Sequence, residues 1–563
     1  MTAKEILKNI LQHALKNAST KLPLSNTESP PQISFEVPKN EGHGDYATNI
    51  ALTLAPRLKQ SPRHIAETIL ESVDDSFSII DTIDIAGPGF INFSLKKDFW
   101  FSQLKKAREM DADFGKIGLG SGEKIQIEFV SANPTGPLHI GHGRGAALGD
   151  ALGNLLACAG YEVTKEYYLN DVGNQMNTLG RSVLYRYKEL LEQSVDFPDD
   201  YYQGEYIYDI ARNCISRFGS RYLNADENES ATVFADLAQA EILRGIKKDL
   251  EDFSVHFDSW FREKTLFENN TVEETIIELQ RKNYIYEKDK ALWFAAGKFD
   301  DDKDRVVVRA NGQKTYFASD IAYHKNKFSR GFKQVINIWG ADHHGYIPRM
   351  KAMMEALGYN PDQLKILLVQ IVSLSRNGIP ISMSTRSGQF VSLREVLDEV
   401  GSDAARYFFL IRRPDSSLDF DLELAKKQSD ENPVYYVQYA HARLCSIVRV
   451  ACERGINIKK LDEADLSLLT NPEEISLIKK ISHFPDIIES SALSFEPHRI
   501  SIFLQDLVSL FHRYYHSGKL DGSKRVITDR EDLTLARLCL IESLRITIRN
   551  SLLLLGVSAP ESM

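Results

Sequence analysis

KIQIEFVSANPTGPLHIGHGRGAALGDALGNLLACAGYEVTKEYYLND, residues 124–171, changes its periodicity twice. Ile125, Ile127 and Phe129 alternate, which places them on one face of a strand. After a loop rich in Pro and Gly, Ala147, Leu148, Ala151, Leu152, Leu155 and Leu156 recur at helical spacing, and Gly160 stands where it stops the helix. "YEVTKEYYLND" then returns as a strand. Strand, loop, helix and strand make a βαβ unit, so the fold class is predicted to be α/β with a parallel, Rossmann-type sheet covered by helices.

The loop itself carries chemistry. A helix amino terminus has unsatisfied N–H groups and a positive partial charge, and so attracts phosphate. Pro134, Gly136, Gly141, Gly143 and Gly145 border it, and glycine lets backbone approach a ligand closely. The rings of His139 and His142 can donate to phosphate oxygens. Together they predict an anion site at the carboxyl edge of a parallel strand. A competing reading makes the glycines helix–strand packing positions and the histidines ordinary surface residues. Zinc fits less well, since no third or fourth ligand lies nearby in sequence.

Working outward toward the start, "TAKEILKNILQHAL" has helical spacing and a Thr2–Glu5 capping box, and its lysines exclude a signal peptide or membrane span. "IDIAGPGFINFSL" reads as two strands around a Gly-Pro-Gly turn, and "GKIGLGSGEK" as a linker. In the other direction, residues from about 175 to 290 are mostly charged helices inserted into the core. Strands resume at "ALWFAA", "DRVVVRA", "QVINIWGAD" and "KILLVQIV". From Pro433 the pattern is almost purely helical. The expected domains are an α+β unit over 1–112, the sheet-bearing core over 113–425 and an all-α unit over 426–563.

The net charge is -10, which excludes a uniformly basic nucleic-acid coat but leaves room for a local patch. The five cysteines show no CxxC pair, which favours free thiols in a reducing, cytoplasmic compartment over a disulfide frame or zinc cluster. "SLLLLGV" near the end is too short to cross a bilayer.

"IEFVSANPTGPLHIGHGRG" resembles the HIGH motif of class I aminoacyl-tRNA synthetases in its arginyl-tRNA synthetase form. The resemblance runs along the chain through "GDYATNIAL", "GPGFINFSL", "YYLNDVGNQ", "WGADHHGYIPRM", "MSTRSGQFVSL" and "NPVYYVQYAHAR". It implies a tRNA-contacting amino-terminal domain, a class I catalytic core and a helical anticodon-binding domain. It implies ATP, with Mg2+ in the substrate complex, L-arginine and tRNA(Arg) as ligands. It implies no dedicated metal site, no tightly bound cofactor, no membrane and no obligate protein partner, with a monomer expected.

By this resemblance His139 and His142 act at the phosphates, and Glu128, Ser131, Asn133, His139, Tyr316, Asp320 and His343 hold arginine. Tyr316 and Asp320 are four apart and share a face if their segment is helical. A planar guanidinium calls for fixed carboxylates, and a buried acidic pocket would reject neutral analogues. Gly340 and Asp342 correspond to the position that meets the ATP ribose, with His344 beside them. "SMSTRSG" (382–388) occupies the place of Lys-Met-Ser-Lys-Ser, with Met383 and Ser384 retained and Thr385 where the second lysine belongs. Arg386, Lys124 or, less readily, Arg376 is expected to supply the missing cation. For tRNA, Tyr435, Gln438, Tyr439, Arg443 and Arg513 are the candidates, since splayed bases stack on aromatics while cations hold phosphates. Three other readings compete: a small nucleotide-dependent ligase such as pantothenate synthetase, a synthetase for another amino acid such as cysteine, and a tRNA-binding paralogue without activity.

Overall fold

The computed structural model describes residues 2–19, 21–22, 32–38, 40–74, 79–299, 301–381 and 391–563. The chain opens with α1 (Ala3–Ala18), whose capping box pairs the Thr2 hydroxyl with the Glu5 N–H at 3.2 Å and the Glu5 carboxylate with the Thr2 N–H at 2.7 Å. β1 (Tyr46–Thr48), α2 (Ile50–Leu58), α3 (Pro62–Leu70), β2 (Ile80–Ala86), β3 (Phe90–Leu95) and α4 (Lys97–Met110) follow. The strands form an antiparallel sheet in the order β1-β3-β2, with β2 and β3 joined through the Gly-Pro-Gly turn.

The expected βαβ unit is β4 (Lys124–Glu128), α5 (Ile140–Cys158) and β5 (Glu162–Leu169). Ile125, Ile127 and Phe129 are 1%, 0% and 0% exposed, so that face packs under helices as its alternation requires. Gly160, at φ +93°, ends α5 in the left-handed region where a side chain would be strained. "GKIGLGSGEK" is no free linker. Its Ile117, Gly120 and Gly122 N–H groups donate to the carbonyls of Cys158, Ala159 and Gly160 at 3.1, 2.9 and 2.8 Å. The last carbonyls at the end of α5 lack intrahelical donors, and this segment supplies them.

The charged stretch folds as α6 (Asn174–Leu190), α7 (Glu205–Phe218) and α8 (Glu227–Asp252), then β6 (Ser259–Arg262), α9 (Lys264–Glu268) and α10 (Thr271–Arg281). β7 (Ile285–Lys288), β8 (Ala291–Phe294) and β9 (Arg305–Val308) make a separate antiparallel sheet. α11 (Tyr316–Ser329), β10 (Gln334–Gly340), α12 (Ile347–Leu357) and β11 (Leu364–Val369) then return to the core. The main sheet is fully parallel in the order β11-β10-β4-β5-β6. Chain order reverses between β4 and β10, which opens a crevice at their carboxyl ends.

β12 (Val372–Arg376), β13 (Ile379–Pro380), α13 (Leu393–Val400), α14 (Ser402–Leu410), β14 (Leu418–Asp421) and α15 (Leu422–Lys426) connect the core to the helices. These are α16 (Pro433–Glu453), α17 (Pro472–Ser482), α18 (Phe484–Ser494), α19 (His498–Leu520) and α20 (Glu531–Leu554). The amino-terminal unit docks onto them. Ser543 Oγ donates to the Leu104 carbonyl at 3.0 Å, Asn550 Nδ2 to that of Phe114 at 2.9 Å, and the Tyr46 hydroxyl to Asp486 at 2.9 Å.

Candidate functional site

The turn leaving β4 is strained. Val130 and Ser131 have φ of +66° and +42°, which a β-branched residue adopts only when its surroundings impose it. The imposing contacts are side chains. Ser131 Oγ donates to Glu128 Oε1 at 3.0 Å and accepts from the Tyr168 N–H at 3.1 Å. The Lys327 ammonium, fully buried on α11, pairs with the other oxygen of Glu128 and donates to Asn337 Oδ1 at 2.9 Å. Removing either member leaves a buried charge, at about 3–5 kcal/mol. Glu128 therefore already has its cation, and its expected place beside arginine is one of shaping the turn rather than neutralising guanidinium.

Beyond the turn, Asn133 Nδ2 donates to Gln175 Oε1 at 2.8 Å and the Tyr206 hydroxyl to the Thr135 carbonyl at 2.8 Å. The inserted helices α6 and α7 thus hold the motif loop. Pro134 is buried beneath it. A Cβ on Gly136 would stand 3.2 Å from the Tyr206 oxygen.

His139 is the N-cap of α5, and the two histidines form the capping box themselves. His139 Nδ1 accepts from the Gly141 and His142 N–H groups at 3.1 and 3.4 Å, and His142 Nδ1 accepts from the His139 N–H at 3.2 Å. The rings stack at 3.6 Å and 20°. Burial lowers the pKa of His139, and burial with the neighbouring His139 takes His142 down to about 3. Both rings are therefore neutral near pH 7, and because Nδ1 accepts, the proton sits on Nε2. The pair is a set of N–H donors at a helix mouth.

The glycines divide their work. A Cβ on Gly141 would meet the His139 ring at 3.0 Å, so this glycine lets the cap form. Gly143 turns to Leu393 and Phe409, at 2.8 and 3.3 Å from its would-be Cβ, so packing explains its lack of a side chain rather than approach to a nucleotide. Gly145 faces open space.

On the other side of the crevice, α11 begins at Tyr316, which is 57% exposed, and carries Asp320 one turn on, so the two share a face. Burial, then Glu263 and Glu128, raise Asp320 to about 7, while hydrogen bonding to Tyr346 opposes this. Glu263, 2% exposed at the end of β6, is also raised, by burial and then Asp171, against hydrogen bonds from Ser319 and Tyr168. The Asn170 amide, oriented to satisfy its partners, donates to Glu263 Oε2 at 2.9 Å. Two buried carboxyl groups whose charge is opposed by burial and by neighbouring acids make an acidic pocket that a cation would relieve. Sequence reading missed Glu263, as it did Gln175 and Tyr206. Glu263 stands 135 residues beyond Glu128 with no motif around it.

Gly340 ends β10, where a Cβ would strike the Asp342 carboxylate. Asp342, His343 and His344 lie exposed in the following turn, with His343 Nε2 3.7 Å from Asp342. His343 contacts Trp339 rather than any residue of the acidic pocket.

Two expected cations are elsewhere. Lys124 opens β4, at the amino end of the sheet, paired with Glu162 at 3.4 Å. Four residues of strand, about 13 Å, separate it from the crevice. Arg376 is held by Glu399 and Glu423. Lys124 thus stands a strand's length from the motif loop, and Arg376 is already paired. Ser382, Met383, Ser384, Thr385 and Arg386 lie outside the described residues. The segment just after them is anchored at the motif, with Leu393 N–H donating to the Leu138 carbonyl at 2.7 Å.

The helical unit holds a second set of candidates. Tyr435 and Tyr439 stack at 6.0 Å, and the Arg443 guanidinium lies 4.4 Å from the Tyr439 ring and 4.7 Å from that of Tyr515. They border two grooves of about 740 and 400 Å³ that share Tyr439, Arg443, Tyr515 and Lys519. Gln438 is not part of this surface. It is 8% exposed and donates to Asp403 at 2.7 Å and to the Ser558 carbonyl at 3.0 Å, because its helix position faces inward. Arg513 is exposed on α19 but lines neither groove.

Three family models match the chain: "Arginyl tRNA synthetase N terminal domain" over residues 5–95, "tRNA synthetases class I (R), catalytic domain" over 109–412, and "DALR anticodon binding domain" over 437–563. An arginine–tRNA ligase of Citrifermentans bemidjiense is 53% identical over 95% of both chains, and one of Desulfosudis oleivorans is 51% identical over the full length of both. Among solved structures, a Campylobacter jejuni protein described as an arginyl-tRNA synthetase is 38% identical, with a TM-score of 0.76 over 83% of this chain and 100% of that one. The Thermus thermophilus arginyl-tRNA synthetase shares the fold at 22% identity, with a TM-score of 0.79 over both full lengths.

Proposed function

This chain belongs to the arginyl-tRNA synthetase family, and from that membership and the crevice between β4 and β10 we infer how it works as an arginine–tRNA ligase. The α/β core and helical carboxyl-terminal domain agree with that assignment, and nothing favours the small-ligase, cysteinyl or inactive-paralogue readings.

Arginine lies with its guanidinium between Asp320 and Glu263, where a permanent cation offsets the burial and the neighbouring acids that oppose their charge. Tyr316, on the Asp320 face of α11, flanks it. The arginine amino and carboxyl ends lie by Ser131, Asn133 and His139. ATP enters with its magnesium, and its phosphates meet the mouth of α5. There the His139 and His142 Nε2–H groups and the helix dipole stabilise charge on the α-phosphate. Pro134, Gly136, Gly141 and Gly145 border the nucleotide and Gly340 and Asp342 its ribose, while the family resemblance assigns Met383, Ser384 and Arg386 to its pyrophosphate. The arginine carboxylate attacks the α-phosphorus and pyrophosphate leaves. The terminal adenosine hydroxyl of tRNA(Arg) then takes the arginyl group and AMP leaves. No covalent protein intermediate is needed, so alignment and charge neutralisation carry the rate.

Residues 1–112, 113–425 and 426–563 serve as tRNA-contacting, catalytic and anticodon-binding domains. Tyr435, Tyr439 and Arg443 take unstacked bases and phosphate. The place of action is the cytoplasm; among the described residues, no helix is long and apolar enough to cross a membrane.

The reading rests above all on the neutral double-histidine cap facing an acidic pocket across the sheet's switch point. Pyrophosphate exchange with ATP and each amino acid, with tRNA(Arg) present, tests it. Exchange is expected with arginine alone, and exchange driven by another amino acid overturns it.

A further inference from the structure

α5 carries the histidine cap at one end and Asp150 about 16 Å further along its axis. Asp150 is 3% exposed and paired with Lys165 at 2.7 Å and with the guanidinium of Arg406, which is fully buried on α14. Arg406 places three further donors on backbone. Nε donates to the Leu555 carbonyl at 2.9 Å, and Nη1 donates to those of Phe253 and Ser254, both at 3.0 Å. One planar group thus binds α5, the turn that ends the inserted helix α8, and the turn that ends α20 of the helical domain. Gly556 leaves room for it, since a Cβ there would come 2.6 Å from Nε. Next to it, Asn154 on α5 donates to the Leu554 carbonyl at 3.4 Å.

The same turn continues toward the aromatic grooves. The Ser558 N–H donates to Asp403 at 3.0 Å, and its hydroxyl binds the same carboxylate. His441 Nδ1 meets the Pro560 carbonyl at 2.8 Å. Ser562 and Met563 then line the larger groove with Tyr439 and Arg443. Residues 554–563 are therefore one strap that runs from the Arg406–α5 contact to the aromatic groove.

We propose that Arg406 is a positioning residue for the phosphate-binding helix: it fixes α5 against the strap from the helical domain, so that the histidine cap sits correctly only while that domain is in place. A fork with five donors in one plane suits this task, because it fixes several partners at defined angles where a lysine ammonium holds one or two without orientation. A shift of α5 of a fraction of an ångström moves the histidine donors off the phosphorus, which affects turnover more than substrate affinity.

The inference rests on the assignment of the α5 mouth to ATP, and the test separates the two. Arg406→Lys keeps the charge against Asp150 but cannot span the three carbonyls. Turnover per active site in arginylation of tRNA, with active enzyme counted by single-turnover charging, is expected to fall at least 10-fold. KM for arginine and ATP stays within about threefold, and tRNA affinity within about twofold. Gly556→Ala, which pushes on the guanidinium from the strap side, is expected to reproduce that pattern and serves if the lysine variant fails to fold. Combining Arg406→Lys with Asp150→Asn is expected to cost less than the sum of the two. Wild-type turnover per active site in both folded variants overturns the proposal, as does a loss that tracks weakened tRNA binding. If His142→Ala is also silent, the ATP assignment has failed; if His142→Ala is slow and these variants are not, only the role of Arg406 has.

Discussion

Asp320 sits near pKa 7 because burial and two neighbouring acids oppose its charge. Arginine stays cationic throughout, so binding selects the ionised form. As pH falls below 7, Asp320 takes up a proton that arginine must displace, and KM for arginine is expected to rise roughly tenfold per unit; above 7 it levels off. Initial rates from pH 5.5 to 8.5 check this, and Asp320→Asn should flatten the profile while raising KM about 10²-fold, the size of one lost buried charge contact. A flat profile in the native enzyme would place the guanidinium elsewhere. His142→Ala is expected to cut turnover roughly 10²-fold with tRNA affinity unchanged. At this scale the sequence was legible where residues are close together. His139 and His142 share one turn, and Tyr316 and Asp320 one helix face. Glu263 and the Lys327–Glu128 pair were not, because only the tertiary fold brings their partners within reach.

Strands and helices were read well where one period ran long enough. The βαβ unit and the all-helical end follow from apolar spacing, but the charged stretch read as inserted helices also holds β6, a strand of the core sheet, and β7. Which strands share a sheet does not follow from spacing: "ALWFAA" pairs with "DRVVVRA" on one side and with β7 on the other, not with the core. Nor does one sequence show which end of a strand is functional. Lys124 adjoins the motif along the chain, yet the strand carries it to the opposite edge of the sheet. Lys124→Ala is therefore expected to leave adenylate formation within about twofold of native, measured by pyrophosphate exchange; a large loss would mean the cation does reach the phosphates. The packing reading of the glycines holds further along α5. A Cβ on Gly149 would stand 2.6 Å from Cδ1 of the Phe129 ring, so helix and strand touch there without room for a methyl. Gly149→Ala is expected to cost about 1–3 kcal/mol of stability and to lower the melting temperature with the KM values unchanged.

Across the whole molecule, the net charge of -10 is at odds with a nucleic-acid partner until the cations are seen to cluster. Arg443, Arg449, Arg454, Lys519, Lys524 and Arg525 surround the larger groove, which Tyr439 and Tyr515 also line. Composition sums over the surface, whereas tRNA meets one side of it. Gln438 shows the converse: it is adjacent to Tyr439 in sequence but points into the core, a distinction that helical phase alone left open. The two residues should therefore separate in experiment. Arg443→Ala is expected to weaken tRNA(Arg) binding and to reduce the slope of log affinity against log salt by about one, because one phosphate contact and its released counterion are lost. Gln438→Ala removes the tie between α16, Asp403 and Ser558, and is expected to lower the melting temperature while the salt slope keeps its native value. Filter binding from 50 to 300 mM salt, beside thermal melts, decides between them. Equal salt slopes for Arg443→Ala and the native enzyme would move the nucleic-acid surface away from this groove.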